Sequence, residues 1–194
     1  MISLEKFFKD TVADKSRHKC FISYHHDNDQ MYKDKFVKLF DNAADVFIDK
    51  SVGDGDIDDG CKAETIWQVI RDNYLSDSTV TIVLIGKETW RRKYVDWEIS
   101  SSIRDTKNSS RSGLLGIFLP THPDYGKDKY NPHIIPPRLY DNVNCGFAIL
   151  HDWTENPTIV QKWIDEAFDM KDKINPDNSR KLFSQNRTTN FWKD

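Results

Sequence analysis

TVTIVLI, residues 79–85, is an almost continuously apolar run and is the stretch that decides the fold. A strand with one face in water alternates apolar and polar side chains, whereas a strand covered on both faces is apolar throughout. Residues 79–85 therefore predict a strand at the centre of a parallel sheet that carries helices on both faces.

Shorter β-prone runs on both sides of this strand predict the rest of the sheet. Further strands are expected at residues 19–24, 45–49, 114–119 and 147–151. Apolar residues at helical spacing predict helices at about residues 30–41, around residues 66–74, from residue 89 or 90, and from Asn156-Pro157 onward. Strands that alternate with helices imply right-handed crossovers, so the expected fold class is α/β with a parallel sheet.

A chain of 194 residues suits one folded domain. We expect this domain at residues 19–171, after an amphipathic extension at residues 1–18 and before a polar tail at residues 172–194. Within the domain, residues 120–146 are rich in proline and are expected to form a long irregular insertion. The apolar residues of the extension and the aromatic residues of the tail either contact other subunits or dock onto their own domain.

Composition disfavours several functional classes. Lys and Arg number 28 against 31 Asp and Glu, a net charge of −3, which gives no basic field for nucleic acid. The three cysteines lie far apart, which predicts neither a disulfide framework nor a zinc site and fits a reducing compartment. No stretch approaches the ~18 apolar residues that span a bilayer. We therefore expect a cytoplasmic protein with neither a nucleic-acid nor a membrane partner.

The loops that follow the strands are where a parallel sheet binds ligands. The first strand is followed by Tyr24-His25-His26-Asp27 rather than by the glycines of a dinucleotide motif, and Gly86-Lys87 lacks the rest of a P-loop. Residues 54–60, DGDIDDG, resemble the start of an EF-hand loop, but the sixth position is Asp59 and the twelfth is Thr65. We expect a solvated acidic loop here and no metal site.

Two histidines directly follow the first strand. Imidazoles at that position can contact a substrate or carry a proton, and His25 is the stronger candidate of the two. Surface histidines in a loop would give the same pattern, so His25 and His26 stay candidates at this point.

The segment WRRKYVDWEIS, residues 90–100, carries the most informative pattern. On a helix, Tyr94 and Glu98 lie one turn apart on one face, beside a stripe of apolar side chains. Spacing alone leaves two interpretations of Glu98. It is either a functional carboxylate at the edge of the core or a solvated glutamate paired with Arg91, or with Lys93 and Arg92.

Four segments in this order resemble Toll/interleukin-1 receptor (TIR) domains, and in particular the bacterial TIR-like proteins of the Thoeris anti-phage defence system. The segments are FISY at residues 21–24, VFID at residues 46–49, VTIVLIG at residues 80–86 and RRKYVDWEI at residues 91–99. The resemblance covers about residues 19–170. It implies a flavodoxin-like fold with a five-stranded parallel sheet and helices on both faces.

The resemblance also implies site residues. NAD-consuming TIR domains carry their catalytic glutamate in a Trp-x-x-x-Glu pattern, which places that role on Glu98, with Tyr94 standing at the Trp position. The substrate-binding residues implied here are Tyr24, His25, Asp49, Tyr94 and Trp97, with Tyr24 or Trp97 able to stack on a substrate ring. The loop at residues 50–61 matches the family's mobile loop, which gates the site and mediates TIR–TIR contacts.

The implied activity is that of an NAD+ nucleosidase or ADP-ribosyl cyclase, with NAD+ as the substrate and no cofactor. Attack by water would give ADP-ribose, and attack by a hydroxyl of the same molecule would give a cyclic isomer. The product would be a signal that activates a separate effector after a phage-derived trigger. A non-catalytic TIR interaction module is the main alternative, and a flavodoxin-like nucleotide binder is the third.

Overall fold

The computed structural model of the protein describes residues 18–40, 47–48, 51–53, 55–58, 60–75, 77–107 and 109–193. The strands are β1 (Cys20–Ser23), β2 (Phe47–Ile48), β3 (Val80–Ile85), β4 (Gly113–Phe118) and β5 (Ala148–Asp152). The α-helices are α1 (His26–Lys38), α2 (Ala63–Asn73), α3 (Lys93–Ser102), α4 (Pro137–Asn144) and α5 (Pro157–Met170). Single-turn 3-10 helices lie at Thr89–Arg91 and Pro132–Ile134. Among the described residues, no helix has both the length and the apolar character needed to cross a bilayer.

The strands form one parallel sheet in the order β2-β1-β3-β4-β5. β3 lies in the middle, and all six of its residues are buried, as the sequence predicts. β2 is only two residues long, so the other four strands form the body of the sheet and β2 extends its edge. The predicted α/β fold class with a parallel sheet is confirmed.

Alternate side chains of the strands point to opposite faces of the sheet. On one face, Ile82 packs with Phe36 of α1 and Ile164 of α5. On the other face, Val83 packs with Ile99 of α3, and α2 and α4 lie on the same side. The helices thus cover both faces, and the core consists of two apolar layers separated by the sheet.

Helix α1 begins at His26, earlier than the predicted start near residue 30. The polar stretch after β1 is therefore mostly part of the helix rather than a loop that precedes it. Asp27 and Asp29 lie in the first turn, where acidic side chains interact favourably with the helix dipole. This local charge preference explains the earlier start.

Residues 120–146 are less irregular than expected, because they contain helix α4. The helix begins with Pro137 at its first turn, where the missing N–H and the fixed φ of proline are compatible with a helix. It ends before Gly146, which has a φ of 82°. In the sequence, the prolines of this segment predict interruptions of regular secondary structure. Pro137 in fact begins a helix, and Leu139 of that helix is fully buried.

The tail packs against the domain. Phe183 and Trp192 are buried, and the indole N–H of Trp192 donates to the carbonyl oxygen of Ile135 at 2.8 Å. Phe191 remains 45% exposed. Of the two interpretations of the tail aromatics, docking onto their own domain describes Phe183 and Trp192. The amphipathic extension predicted at residues 1–18 lies outside the described residues except for its last residue.

Helix α5 packs closely on the sheet at Gly113, so a substitution at this position tests that packing. A Cβ atom at this position would collide with the backbone of Ala167 and Phe168 in α5, which a side-chain rotation cannot relieve. We expect Gly113→Ala to lower the free energy of unfolding by about 1–3 kcal/mol, measured by urea denaturation. Gly60→Ala, at an exposed loop position, is the control and should change stability by less than about 0.5 kcal/mol. Equal stabilities of the two variants would contradict this packing.

Candidate functional site

Glu98 lies in the interior of the protein, with only 1% of its surface exposed. It belongs to α3, in which every residue is buried. The hydroxyl of Ser23 donates to Glu98 Oε2 at 2.5 Å, and the backbone N–H of Val52 donates to Oε1 at 2.7 Å. Arg91 pairs instead with Glu88 at 2.8 Å. The interpretation of Glu98 as a solvated surface glutamate is therefore wrong.

The alternation of side chains along β1 brings Ser23 to this carboxyl group. Phe21 and Ser23 are two residues apart, so they point to the same face of the sheet. Phe21 packs with Trp97 on α3, which fixes that helix over this face. Ser23 is the last residue of the strand, and its hydroxyl meets Glu98 at the carboxyl end of the sheet.

Burial raises the pKa of Glu98 from 4.5 to about 8, and the hydrogen bonds from Ser23 and from Val52 lower it in part. Desolvation dominates because a carboxylate loses its hydration, and two donors replace only part of it. The carboxyl group is therefore largely protonated at neutral pH. A positive charge placed beside it would favour the ionised form.

A cleft of about 190 Å³ lies close to this buried group, although Glu98 itself does not line it. Val52 joins the two, because it lines the cleft and donates its N–H to Glu98. The residues that line the cleft come from the end of β1, the start of α1, the loop after β2 and the start of α3: Tyr24, His26, Asp27, Val52, Gly53, Arg92, Tyr94 and Val95. The cleft therefore lies at the carboxyl end of the sheet, where parallel sheets bind ligands.

Aromatic side chains shape two walls of the cleft. The Tyr24 ring lies 4.6 Å from the His26 ring, and the Tyr24 hydroxyl donates to Gln30 at 2.6 Å. The Tyr94 hydroxyl accepts from the backbone N–H of Gly55 at 3.4 Å. Both tyrosines are largely buried, with 8% and 6% of their surface exposed, and Tyr94 also links α3 to the loop that follows β2.

The structure brings together three of the predicted site residues, Glu98, Tyr24 and Tyr94. Trp97 lies in the core at 1% exposure, and its indole N–H donates to the carbonyl oxygen of Phe183 at 2.8 Å. Trp97 therefore packs inside the domain and does not line the cleft, which gives no support to the expectation that it stacks on a substrate ring.

Of the two histidines, His26 lines the cleft and His25 does not. His25 is buried, and its Nδ1 has no hydrogen-bond partner among the residues that the structure describes. Burial, followed by the charge of Arg92, lowers the pKa of His25. Asp49, predicted to bind substrate, lies outside the described residues.

Sequence reasoning missed Ser23, Val52 and Arg92. The alternation of side chains along β1 could have indicated Ser23, because it places the Ser23 hydroxyl on the face of the sheet that α3 covers. Arg92 directly precedes α3 and lines the cleft. The sequence gives no indication of Val52, since this residue acts through its backbone N–H and not through its side chain.

A larger groove of about 520 Å³ lies near the amino ends of the strands, between α2 and the loop after α3. Arg71 is buried there and donates to the carbonyl oxygens of Ser101 and Ser102, both at 3.2 Å, and the guanidinium of Arg104 stacks on Trp67 at 3.6 Å. These groups hold the chain itself together.

In the described part of the chain, no group of three or more His, Cys, Asp or Glu could hold a metal ion. The cleft beside Glu98 is the better candidate site.

Comparisons with known proteins give a family match and a structural similarity. A family profile described as "Thoeris protein ThsB, TIR-like domain" matches residues 21–124, which is more than half of the chain. No curated protein gives a significant sequence match. Among solved structures, the chain is similar to the TIR domains of the activated Roq1 resistosome, described as directly recognizing the pathogen effector XopQ. That similarity has 10% identity and a TM-score of 0.34, over 80% of this chain and 84% of the other.

The raised pKa of Glu98 makes stability depend on pH in a defined direction. Between pH 4.5 and about 8, the folded protein binds a proton at Glu98 that the unfolded chain releases, so this group makes the protein less stable as pH rises. Glu98→Gln keeps the shape of the side chain and removes the titration. We expect Glu98→Gln to gain stability relative to wild type by about a few kcal/mol between pH 5 and pH 8.

Denaturant unfolding at several pH values measures this difference. Glu155→Gln, at an exposed position, controls for the change in net charge. A stability difference between wild type and Glu98→Gln that stays constant over this pH range would show that Glu98 ionises as it does in the unfolded chain.

Proposed function

The chain belongs to the TIR-like domain family of the Thoeris protein ThsB, and on that premise we propose that it cleaves the nicotinamide–ribose bond of NAD+ in anti-phage defence. The observation that carries the proposal is Glu98, a buried carboxyl group held by Ser23 and Val52 beside an aromatic cleft at the carboxyl end of the sheet. The proposed enzyme is an NAD+ nucleosidase or ADP-ribosyl cyclase, with NAD+ as its substrate.

The proposed reaction needs one carboxylate. The bond between ribose C1′ and the nicotinamide nitrogen breaks, its electron pair stays on that nitrogen, and neutral nicotinamide leaves. The ribose is left with oxocarbenium character, which a nearby carboxylate stabilises electrostatically. Glu98 would serve in its ionised form and would also hydrogen-bond the ribose hydroxyls.

The second step completes the product. Water attacks C1′ and loses a proton to give ADP-ribose, or a nucleophile of the same ADP-ribose closes a ring to give a cyclic ADP-ribose isomer. We propose the cyclic product, which would act as a signal to a separate effector. The trigger in this proposal derives from the infecting phage, and the reaction takes place in the cytoplasm.

Access to Glu98 requires a change in the loop after β2. Pockets that hold cofactor-sized ligands measure roughly 300–1,000 Å³, whereas this cleft measures about 190 Å³. Val52 covers the carboxyl group, so residues 51–53 must move before a ribose reaches Oε1. In the proposal, TIR–TIR contacts through this loop open the site, which links assembly to activity.

The same closed arrangement supports a second candidate, a non-catalytic TIR interaction module. In that case Glu98 is a structural residue that fixes the loop after β2 through Val52 and so shapes a surface for assembly. The two candidates differ in one measurable property, the turnover of NAD+.

NAD+ turnover tests the proposal directly. Wild type and Glu98→Gln are expressed separately, and NAD+ and its products are separated by chromatography from lysates of infected and uninfected cells. We expect nicotinamide and an ADP-ribose product with wild type, and at least about a hundredfold less with Glu98→Gln, because the stabilising charge is lost. Glu155→Gln is the matched control and should behave as wild type.

Two outcomes decide between the candidates. If NAD+ stays intact with wild type and Glu98→Gln during infection while both variants protect against phage, the interaction module is the better account. If turnover is present and equal in both variants, Glu98 is not catalytic.

The hydroxyl of Ser23 gives a second, finer test. Its hydrogen bond lowers the pKa of Glu98, so Ser23→Ala should raise that pKa further. If ionised Glu98 is the active form, the rising limb of the pH–rate profile moves to higher pH in Ser23→Ala. Ser112→Ala removes another fully buried hydroxyl, bonded to Ser78, and should leave the profile unchanged. A shift to lower pH in Ser23→Ala would contradict the assigned role of this bond.

A further inference from the structure

The segment at residues 177–192 is here called the C-terminal strap, and its residues 178–187 lie along α3. At the end of the helix, Asn178 donates to the carbonyl oxygen of Ser100 at 2.9 Å and accepts from its hydroxyl at 3.0 Å. In the middle, the indole N–H of Trp97 donates to the carbonyl oxygen of Phe183 at 2.8 Å. The strap therefore runs from the end of α3 towards its start.

At the start of α3, the strap supplies a helix cap from a distant part of the sequence. The residue at the N-cap position, Arg92, makes no side-chain capping bond. Instead the side-chain oxygen of Asn186 accepts from the backbone N–H of Lys93 at 2.9 Å, across 93 positions of sequence. The neighbouring Arg187 N–H donates to the carbonyl oxygen of Arg91 at 2.8 Å. First-turn N–H groups have no partner within a helix, so Asn186 satisfies a donor that α3 itself leaves unpaired.

A buried ion pair ties the strap to α3 and α4 together. Arg138 of α4 binds Asp96 of α3 through its Nε at 2.9 Å, and the two side chains are 0% and 2% exposed. The strap completes the pair, because Arg138 also donates to Asn178 at 2.7 Å and the backbone N–H of Phe183 donates to Asp96 at 3.0 Å. A buried ion pair is tolerated when its remaining donors and acceptors are also bonded, which the strap achieves here.

We propose that the C-terminal strap positions Glu98 for the reaction proposed above, and that Asn186 is a positioning residue. The proposal rests on the assigned activity, because Glu98 is the group being positioned. Glu98 holds its two donors at 2.5 and 2.7 Å, so a small shift or fraying of α3 separates it from Ser23 or Val52. Asn186 acts through the first turn of α3, which also carries Tyr94 at the cleft.

The test compares two asparagine caps on different helices. Asn156 caps α5 by accepting from the N–H groups of Thr158 and Ile159, so Asn156→Ala removes the same chemistry from a helix that carries no site residue. Asn186→Ala removes the cap of α3, and Asn186→Asp restores an acceptor suited to a helix start. All variants are made in the full chain, and melting temperature, NAD+ turnover and hydrogen exchange are measured for each.

We expect both alanine variants to lower the melting temperature by a few degrees, since each loses one cap. Asn186→Ala should also lower kcat by at least about tenfold, and by a larger factor than it changes KM, because displacement of Glu98 costs rate whereas Tyr94 contributes only to substrate binding. Asn186→Asp should recover most of kcat, and Asn156→Ala should keep it. Amide exchange should rise at residues 93–102 in Asn186→Ala and not in Asn156→Ala.

The outcomes separate this proposal from the activity on which it rests. If wild type turns over NAD+ and the two alanine variants have the same kcat, Asn186 is a structural cap and the positioning role is overturned. If wild type leaves NAD+ intact in lysates of infected cells as well, the proposed activity fails, and hydrogen exchange then decides alone whether the strap fixes α3. Equal exchange at residues 93–102 in Asn186→Ala and wild type would overturn the strap's role in either case.

Discussion

The burial of the Glu98 carboxyl group is the constraint on which this site depends. A carboxyl group removed from water must be protonated or must receive hydrogen bonds, and its raised pKa shows that two donors offset only part of the lost hydration. Its two donors come from different elements, the end of β1 and the loop after β2. One carboxyl group therefore joins a strand, a helix and a loop at the carboxyl end of the sheet.

The same constraint extends along α3, which buries polar side chains as well as apolar ones. An amphipathic helix normally turns its polar face to water, but Asp96 and Ser100 of α3 are almost completely buried. Their partners come from α4 and from the C-terminal strap: Asp96 binds Arg138, and Ser100 binds Asn178. The strap is thus a second, polar layer of the fold, because it provides the hydrogen bonds that water supplies to an exposed helix face.

The sequence predicts the features that depend on local pattern. The continuous apolar run of β3 is typical of a central parallel strand, and the Asn156-Pro157 pair correctly marks the start of α5. The spacing of Tyr94 and Glu98 places both on one face of a helix. These predictions succeed because alternation, helical periodicity and capping are properties of neighbouring residues.

The features that escaped prediction depend on contacts between distant segments. Nothing local to residues 90–100 shows that Glu98 is buried, since the groups that cover it are 75 and 46 positions away. The helix at Pro137 was missed because proline at a first turn and proline in a loop look alike in sequence. The tail aromatics indicated possible docking onto the domain, but the contacts of the tail with α3 were not predicted. Those contacts are made by asparagine side chains and backbone groups, which carry no periodic pattern.

The closed site also has a consequence for the charge of the ligand in the proposed reaction. Moving Val52 away removes a hydrogen bond that lowers the pKa of Glu98, but it also admits water to the carboxyl group. Relief of desolvation, the largest cause of the raised pKa, favours the ionised form. A cation within about 4–6 Å lowers the pKa of a carboxyl group by roughly 1–3 pH units, which acts in the same direction. The nicotinamide ring of NAD+ carries a positive charge, whereas the reduced ring of NADH is neutral. In the proposed reaction, water admitted to the site and the positive charge of the oxidised ring therefore both favour the ionised form of Glu98, and the reduced ring supplies no such charge.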